Sequence, residues 1–139
     1  MRRRGVRSML IPALALGGLS AAAAQETPLP QGEIVRADLP GRALFAHNCA
    51  PCHGTGRGDD GSPMLPGTAA LAAKYGATRP APLELRDDLA DPVLRLFVRR
   101  GVGAMPAFRP AELSNADIEA IAAYLRATAQ ANRAANRRR

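Results

Sequence analysis

Both cysteines and both histidines of this 139-residue chain fall in one run, HNCAPCH, from His47 to His53. Within it, Cys49-Ala50-Pro51-Cys52-His53 has the C-x-x-C-H spacing. At that spacing two thiols can each add to a vinyl group of one porphyrin, leaving the next imidazole beneath the iron. Two other chemistries use close cysteines. A structural zinc ion needs four ligands, usually as two separated pairs. This chain has no second pair, and closing His47 and His53 around one ion with both thiols would strain the turn. A redox dithiol, or a plain disulfide, would suit a C-x-x-C opening a helix after a strand. No strand pattern precedes Cys49. Covalent attachment of one haem c through Cys49 and Cys52, with His53 as the proximal iron ligand, is therefore expected.

A six-coordinate haem iron needs a ligand on its other face, and a methionine thioether there raises the reduction potential. Beyond the first ten residues the chain has two methionines, Met64 and Met105. Met105 lies 52 positions after His53, enough chain to wrap a ring and return. Gly101 and Gly103 let backbone come close there, and Pro106 keeps the following chain extended. The expectation is that Met105 ligates iron; the alternative is an ordinary core filler. Met64 is expected as a contact at the rim on the histidine side, and His47 as a surface side chain.

These residues need a scaffold, and the pattern supplies only helices. GRALFAHNCAPCHG can start a helix at Pro40 or Gly41, with Leu44, Phe45 and Cys49 on one side, running to Gly54. The Gly- and Pro-rich stretch from Gly56 to Gly67 must be loop. A short helix follows from Thr68 to Tyr75, closed by Gly76, with a helical turn expected at Leu83 to Leu85. In DPVLRLFVRRG, Asp91 can cap, Pro92 fits the first turn, and Leu94, Phe97 and Val98 form the apolar stripe before Gly101. The last helix has Ser114 as cap, Asp117 completing a capping box, and Ile118, Ile121, Ala122 and Leu125 facing inward. The fold class is all-α with long loops. Loops that bury so little are more easily understood if they lie against a large flat cofactor.

The ends carry a different message. Arg2, Arg3, Arg4 and Arg7 precede an apolar run of about 11 residues, Met9 to Leu19, and Ala22 and Ala24 occupy A-x-A positions. That is a signal peptide over 1–24, cut after Ala24, and its run is well short of the ~20 residues of a spanning helix. Export to the periplasm, without stable membrane insertion, is the expectation. Residues 25–38 read as a flexible leader, 39–129 as the folded domain, and 130–139 as a disordered basic tail. The formal charge of +7 belongs to those ends. Between Gln25 and Asn132 there are 11 basic and 12 acidic residues, so the body is no nucleic-acid binder.

From Leu39 to Ala127 the chain resembles the class I c-type cytochromes. GRALFAHNCAPCHG is similar to that family's first helix, AIAAYL to its last, and GVGAMPAF to its methionine loop. The resemblance implies a small cytochrome c fold in which Gly41 and Phe45 cross Ile121 and Tyr124. It also implies that GSPMLPG is the proximal loop, with the Pro63 carbonyl accepting from Nδ1 of His53. LAAKYG, LELRDDL and the run from Leu96 to Leu125 further resemble the cytochrome subunits of flavoprotein dehydrogenases of the alkylphenol hydroxylase type.

With His53 and Met105 filling both axial positions, no open iron site would remain for substrate, so electron transfer rather than catalysis is expected. The narrower resemblance implies a flavoprotein dehydrogenase acting on a phenolic substrate as donor and another soluble electron carrier as acceptor. A free-standing respiratory shuttle and a small haem peroxidase are the alternatives. Arg79, Arg99, Arg100 and Arg109 can steer an acidic partner, and Tyr75 and Arg79 can reach haem propionates.

Overall fold

A computed structural model describes residues 34–138. The expected signal peptide, the leader as far as residue 33, and Arg139 lie outside the described residues. The elements run α1 (Gly41–Asn48), α2 (Ala50–His53), α3 (Pro66–Tyr75), two 3-10 turns (Gly76–Thr78 and Leu83–Leu85), α4 (Asp91–Arg100) and α5 (Asn115–Asn136). Among the described residues no strand forms; one isolated antiparallel bridge joins Val102 and Met105. The protein is a small all-α domain.

The crossing of α1 and α5 organises it. A Cβ on Gly41 would stand 2.0 Å from the Ala120 carbonyl oxygen, so only hydrogen at that position lets the two backbones meet. One turn on, the Phe45 ring lies 5.6 Å from that of Tyr124, centroid to centroid, tilted by 43°. Phe45 and Tyr124 are 2% and 0% exposed, and Ile121 sits beside them at 1%, as the resemblance implied. Ile118, Ala122 and Leu125 complete the inward face of α5 against Leu94, Val98 and Leu113. Each large side chain sealed here contributes about 2 kcal/mol. The capping box fixes where α5 begins: the Ser114 hydroxyl accepts from the Asp117 N–H at 3.1 Å, and Asp117 accepts from the Ser114 N–H at 2.9 Å.

Several boundaries differ from the sequence expectation. The first helix is not continuous to Gly54 but breaks at Cys49, because Pro51 has no N–H to give and its ring would collide with the carbonyl four residues back. Pro51 instead stands in the first turn of α2. α3 starts at Pro66, two residues before Thr68, for the same reason. Asp91 is the first residue of α4 rather than its cap, and its carboxylate pairs with Arg126 of α5. Phe97, expected in the buried stripe of α4, is 39% exposed, while Leu94 and Val98 are inside.

The packed structure also extends past both expected domain ends. Residues 34–38, assigned to the flexible leader, lie along α5. The Val35 N–H donates to Asn132 Oδ1 at 2.9 Å, Asn132 Nδ2 returns to the Val35 carbonyl at 3.0 Å, and the Ala37 N–H donates to Thr128 Oγ1 at 3.0 Å. Ile34 is 7% exposed. At the other end, α5 continues to Asn136, so most of the stretch from 130 onward is helix rather than disordered tail. Alanine-rich sequence and the buried side chains of Ala129 and Asn132 carry it there. No helix among the described residues is long and apolar enough to cross a membrane.

Candidate functional site

The break at Cys49 shapes the C-x-x-C-H segment. The Cys49 carbonyl accepts from both the Cys52 N–H (3.1 Å) and the His53 N–H (2.8 Å), winding one tight turn between α1 and Gly54. Cys49 points partly inward and packs on the core that Phe45 and Tyr124 centre; Cys52 is exposed. Neither is in a disulfide. Burial, with the neighbouring Cys52 thiol adding to it, pushes the Cys49 thiol up to about 11. That is the reverse of the lowered thiol on which C-x-x-C oxidoreductases depend. Among the described residues no three His, Cys, Asp or Glu side chains group as a metal site.

His53 is half-buried, and burial lowers its pKa, so the imidazole stays neutral near pH 7, the form that binds a metal. Nδ1 is fully buried and has no hydrogen-bond partner. The bond to the Pro63 carbonyl implied by the resemblance is therefore not made. The first turn of α3 occupies that side of the ring instead: a Cβ on Gly67 would be 2.6 Å from Cε1 and 2.8 Å from Nδ1 of His53. With Nδ1 walled in, Nε2 is the nitrogen left open to a ligand.

Thr68 ties this turn in place. Its hydroxyl donates to the Gly54 carbonyl at 2.8 Å, and the residue is only 1% exposed. Sequence reasoning missed both Gly67 and Thr68, treating one as the end of a loop and the other as the start of a helix. The available signal was the pair itself, a glycine and a hydroxyl just inside a helix opened by proline.

Met105 lies where a tight turn returns the chain to the core. Its N–H donates to the Val102 carbonyl at 2.9 Å and its own carbonyl accepts from the Val102 N–H at 3.1 Å. Gly101, at φ +64°, makes that turn possible, since a Cβ there would stand 2.4 Å from the Met105 oxygen. Met105 is partly buried and borders the same apolar cluster as Cys49 and Ala50. The structure thus brings the attachment turn and the methionine loop onto one core.

Tyr75 and Arg79 meet other side chains. Tyr75 closes α3, about 12 Å along its axis from Gly67, and Arg79 follows the 3-10 turn after it. The Arg86 guanidinium stacks 4.6 Å from the Tyr75 centroid, with Arg79 at 5.4 Å and Lys74 at 5.2 Å. Arg79 and Arg86 both pair with Asp88. Those are the contacts that the two residues expected at the haem propionates make within the protein. Of the arginines expected to steer a partner, Arg79 shares Asp88 with Arg86 and Arg109 pairs with Glu112. Arg99 donates to the Phe108 carbonyl (3.0 Å) and Asn115 (2.8 Å), and no carboxylate among the described residues pairs with it or with Arg100.

Behind the attachment turn lies a pocket of about 280 Å³, lined among others by Arg42, Ala50, Thr55 and Glu84. Glu84 is 2% exposed and was not singled out from the sequence. Arg36 holds it with two hydrogen bonds, Nε at 2.8 Å and Nη2 at 3.2 Å. Burial, then the hydrogen bond to Glu84, pushes the Tyr124 phenol up to about 12.

The unjoined thiols, the neutral imidazole with one nitrogen free, and the thioether bordering the same core fit a covalently attached haem. Comparison with known proteins agrees: the model of the family described as cytochrome c oxidase, cbb3-type, subunit III matches residues 36–125. Searches of curated proteins and of solved structures found no match.

Proposed function

This chain belongs to the family described as cytochrome c oxidase, cbb3-type, subunit III, and from that premise we propose that it is an exported mono-haem electron carrier with His53 and Met105 as axial ligands. Membership makes it a c-type cytochrome, with haem c and electron transfer as its business. Its donor is a flavoprotein dehydrogenase acting on a phenolic substrate, and its acceptor another soluble carrier.

The observation that carries the reading is the placement of Cys49 and Met105 on one apolar cluster, although 56 positions separate them. Haem bound there supplies a one-electron iron couple at a potential that its axial ligands set. The chain does the rest. Cys49 and Cys52 anchor, His53 offers a neutral nitrogen, and Phe45, Tyr124 and Leu94 exclude water from the interior. Arg99 and Arg100, free of carboxylates among the described residues, favour an acidic partner surface.

The test is expression in a host that matures c-type cytochromes. A mass gain of one haem that survives denaturation, lost in Cys49→Ala/Cys52→Ala, supports the reading. A colourless mature protein with the mass of its amino acids alone ends it. Failure of the reduced protein to bind carbon monoxide supports Met105 as ligand, and rapid binding favours a small peroxidase. Flavin absorbance that co-purifies under native conditions supports the dedicated donor, whereas its absence favours a free-standing shuttle.

A further inference from the structure

The outer face of α4 combines exposed apolar surface with charge. Leu94 and Val98 turn inward, so Pro92, Leu96, Arg99 and Arg100, set three or four positions apart, share the opposite side of the helix. Leu96 is 47% exposed there. With Pro92 it floors an open concavity of about 420 Å³, whose remaining lining is Asp91, Arg95, Arg99 and Arg100.

The charge around that floor is lopsided. Asp91 pairs with Arg126 and Arg95 with Glu119, whereas no carboxylate among the described residues pairs with Arg99 or Arg100. Arg99 is oriented all the same: Nη1 donates to the Phe108 carbonyl and Nη2 to Asn115 Oδ1, two neutral acceptors that leave its charge whole. Since the stretch from Gln25 to Asn132 holds 11 basic and 12 acidic residues, this excess is local. Cations in a last turn suit the helix dipole, but the dipole gives no reason for an exposed leucine beside them. The face is also joined to the methionine loop, because Phe108, whose carbonyl accepts from Arg99, donates its own N–H to the Val98 carbonyl at 2.9 Å. The helix and the loop through Met105 thus close on one another as a unit.

We propose that the outer face of α4 is the docking surface for an acidic protein partner, one that presents an apolar side chain ringed by carboxylates. Leu96 and Pro92 receive the apolar side chain, and Arg99 and Arg100 pair with the carboxylates around it. The inference rests on the electron-carrier reading above and goes further by seating the partner on α4 rather than over the attachment turn.

The experiment follows backbone amide shifts of the ferrous holoprotein by NMR while a blocked peptide, Glu-Glu-Phe-Glu-Glu, is added at low salt. Shifts are expected along 92–100, weaker with Glu-Glu-Ser-Glu-Glu, absent with Lys-Lys-Phe-Lys-Lys, and reversed by added salt because these charges face water. Arg99→Gln/Arg100→Gln and, separately, Leu96→Ser should each weaken binding about fivefold or more. Arg137→Gln/Arg138→Gln, at the exposed end of α5, should leave the α4 shifts as they are. Shifts gathered on the attachment turn or on Arg137 and Arg138, or binding indifferent to both the Leu96 and the Arg99 and Arg100 substitutions, overturn the docking surface, while a red, reversibly reducible protein keeps the carrier reading. A colourless chain overturns both.

Discussion

The phenol of Tyr124 donates a hydrogen bond to Oε1 of Glu84 at 2.5 Å, joining the middle of α5 to the 3-10 turn 40 positions earlier. Glu84 is 2% exposed, so its carboxylate depends wholly on protein partners. Arg36 completes the set from the segment laid along α5. An ionised carboxylate sealed in an apolar interior is tolerable only when paired and hydrogen-bonded.

Arg36→Met therefore leaves a buried charge half-satisfied. The expected cost is about 2 kcal/mol, less than for a fully sealed pair because Arg36 keeps a third of its side chain in water. Urea unfolding of the two proteins at neutral pH measures it. A change within a few tenths of a kcal/mol would mean that solvent serves Glu84 as well as Arg36 does.

Gly41→Ala tests the crossing of α1 and α5. Since the new methyl would sit 2.0 Å from the Ala120 oxygen, backbone rather than a flexible side chain has to move. The loss should be about 3 kcal/mol or more, against well under 1 kcal/mol for Ala43→Ser on the exposed face of the same helix. Equal midpoints in the two unfolding curves would refute the close approach.

Acid should weaken the Tyr75 cluster in a defined window. The Arg86 hydrogen bond, with Arg79 assisting, holds the Asp88 carboxyl down at about 2. A depressed carboxyl contributes stability that is complete above its unfolded value, about 4, and lost as pH falls toward 2. Asp88→Asn should thus be less stable than wild type at pH 6, by a gap that starts to shrink near pH 4 and closes only as pH falls through 2. Thermal unfolding across that range measures the difference, and a gap constant with pH would show that Asp88 acts through shape and not through charge.

Met105→His replaces thioether by imidazole at the proposed distal position. The reduction potential should fall by on the order of 100 mV or more, given the span that axial ligands command. Spectroelectrochemical titration reads it. An unchanged potential would assign the distal face to another residue.

Asn132→Ala should release the segment in front of α1. Three hydrogen bonds end on this side chain, to both backbone groups of Val35 and to the Thr128 carbonyl at 2.7 Å. Amide exchange at Val35 should rise toward that of an open chain, with a global loss of about 1–3 kcal/mol. Continued protection at Val35 would mean that Ile34 packing alone retains the segment.

What was legible beforehand follows from how locally each feature is encoded. C-x-x-C-H is five consecutive residues, and its chemistry depends on spacing alone. The stripe Ile118, Ile121, Ala122 and Leu125 and the capping box at Ser114 have a period or a fixed offset, so α5 could be read with its inward face. The same stripe continues through Thr128 and Asn132, which polarity disguised: they are buried because residues 34–38 bring backbone groups for them to bond. The break at Cys49 was written in Pro51 but was outweighed by the helical period on either side of it.

The sequence by itself determined the chemistry on offer, since two thiols and an imidazole at fixed spacing need no fold to declare what they can hold. It also determined that helices would carry them, because hydrophobic period and caps act within a few residues. Only the tertiary structure decided how those groups are held. Glu84 finding Arg36 and Tyr124, Gly67 lying against His53, and Met105 bordering the core of Cys49 all depend on chain segments meeting across many residues. Such meetings are settled by packing and by the pairing of buried polar groups, and a linear pattern records neither.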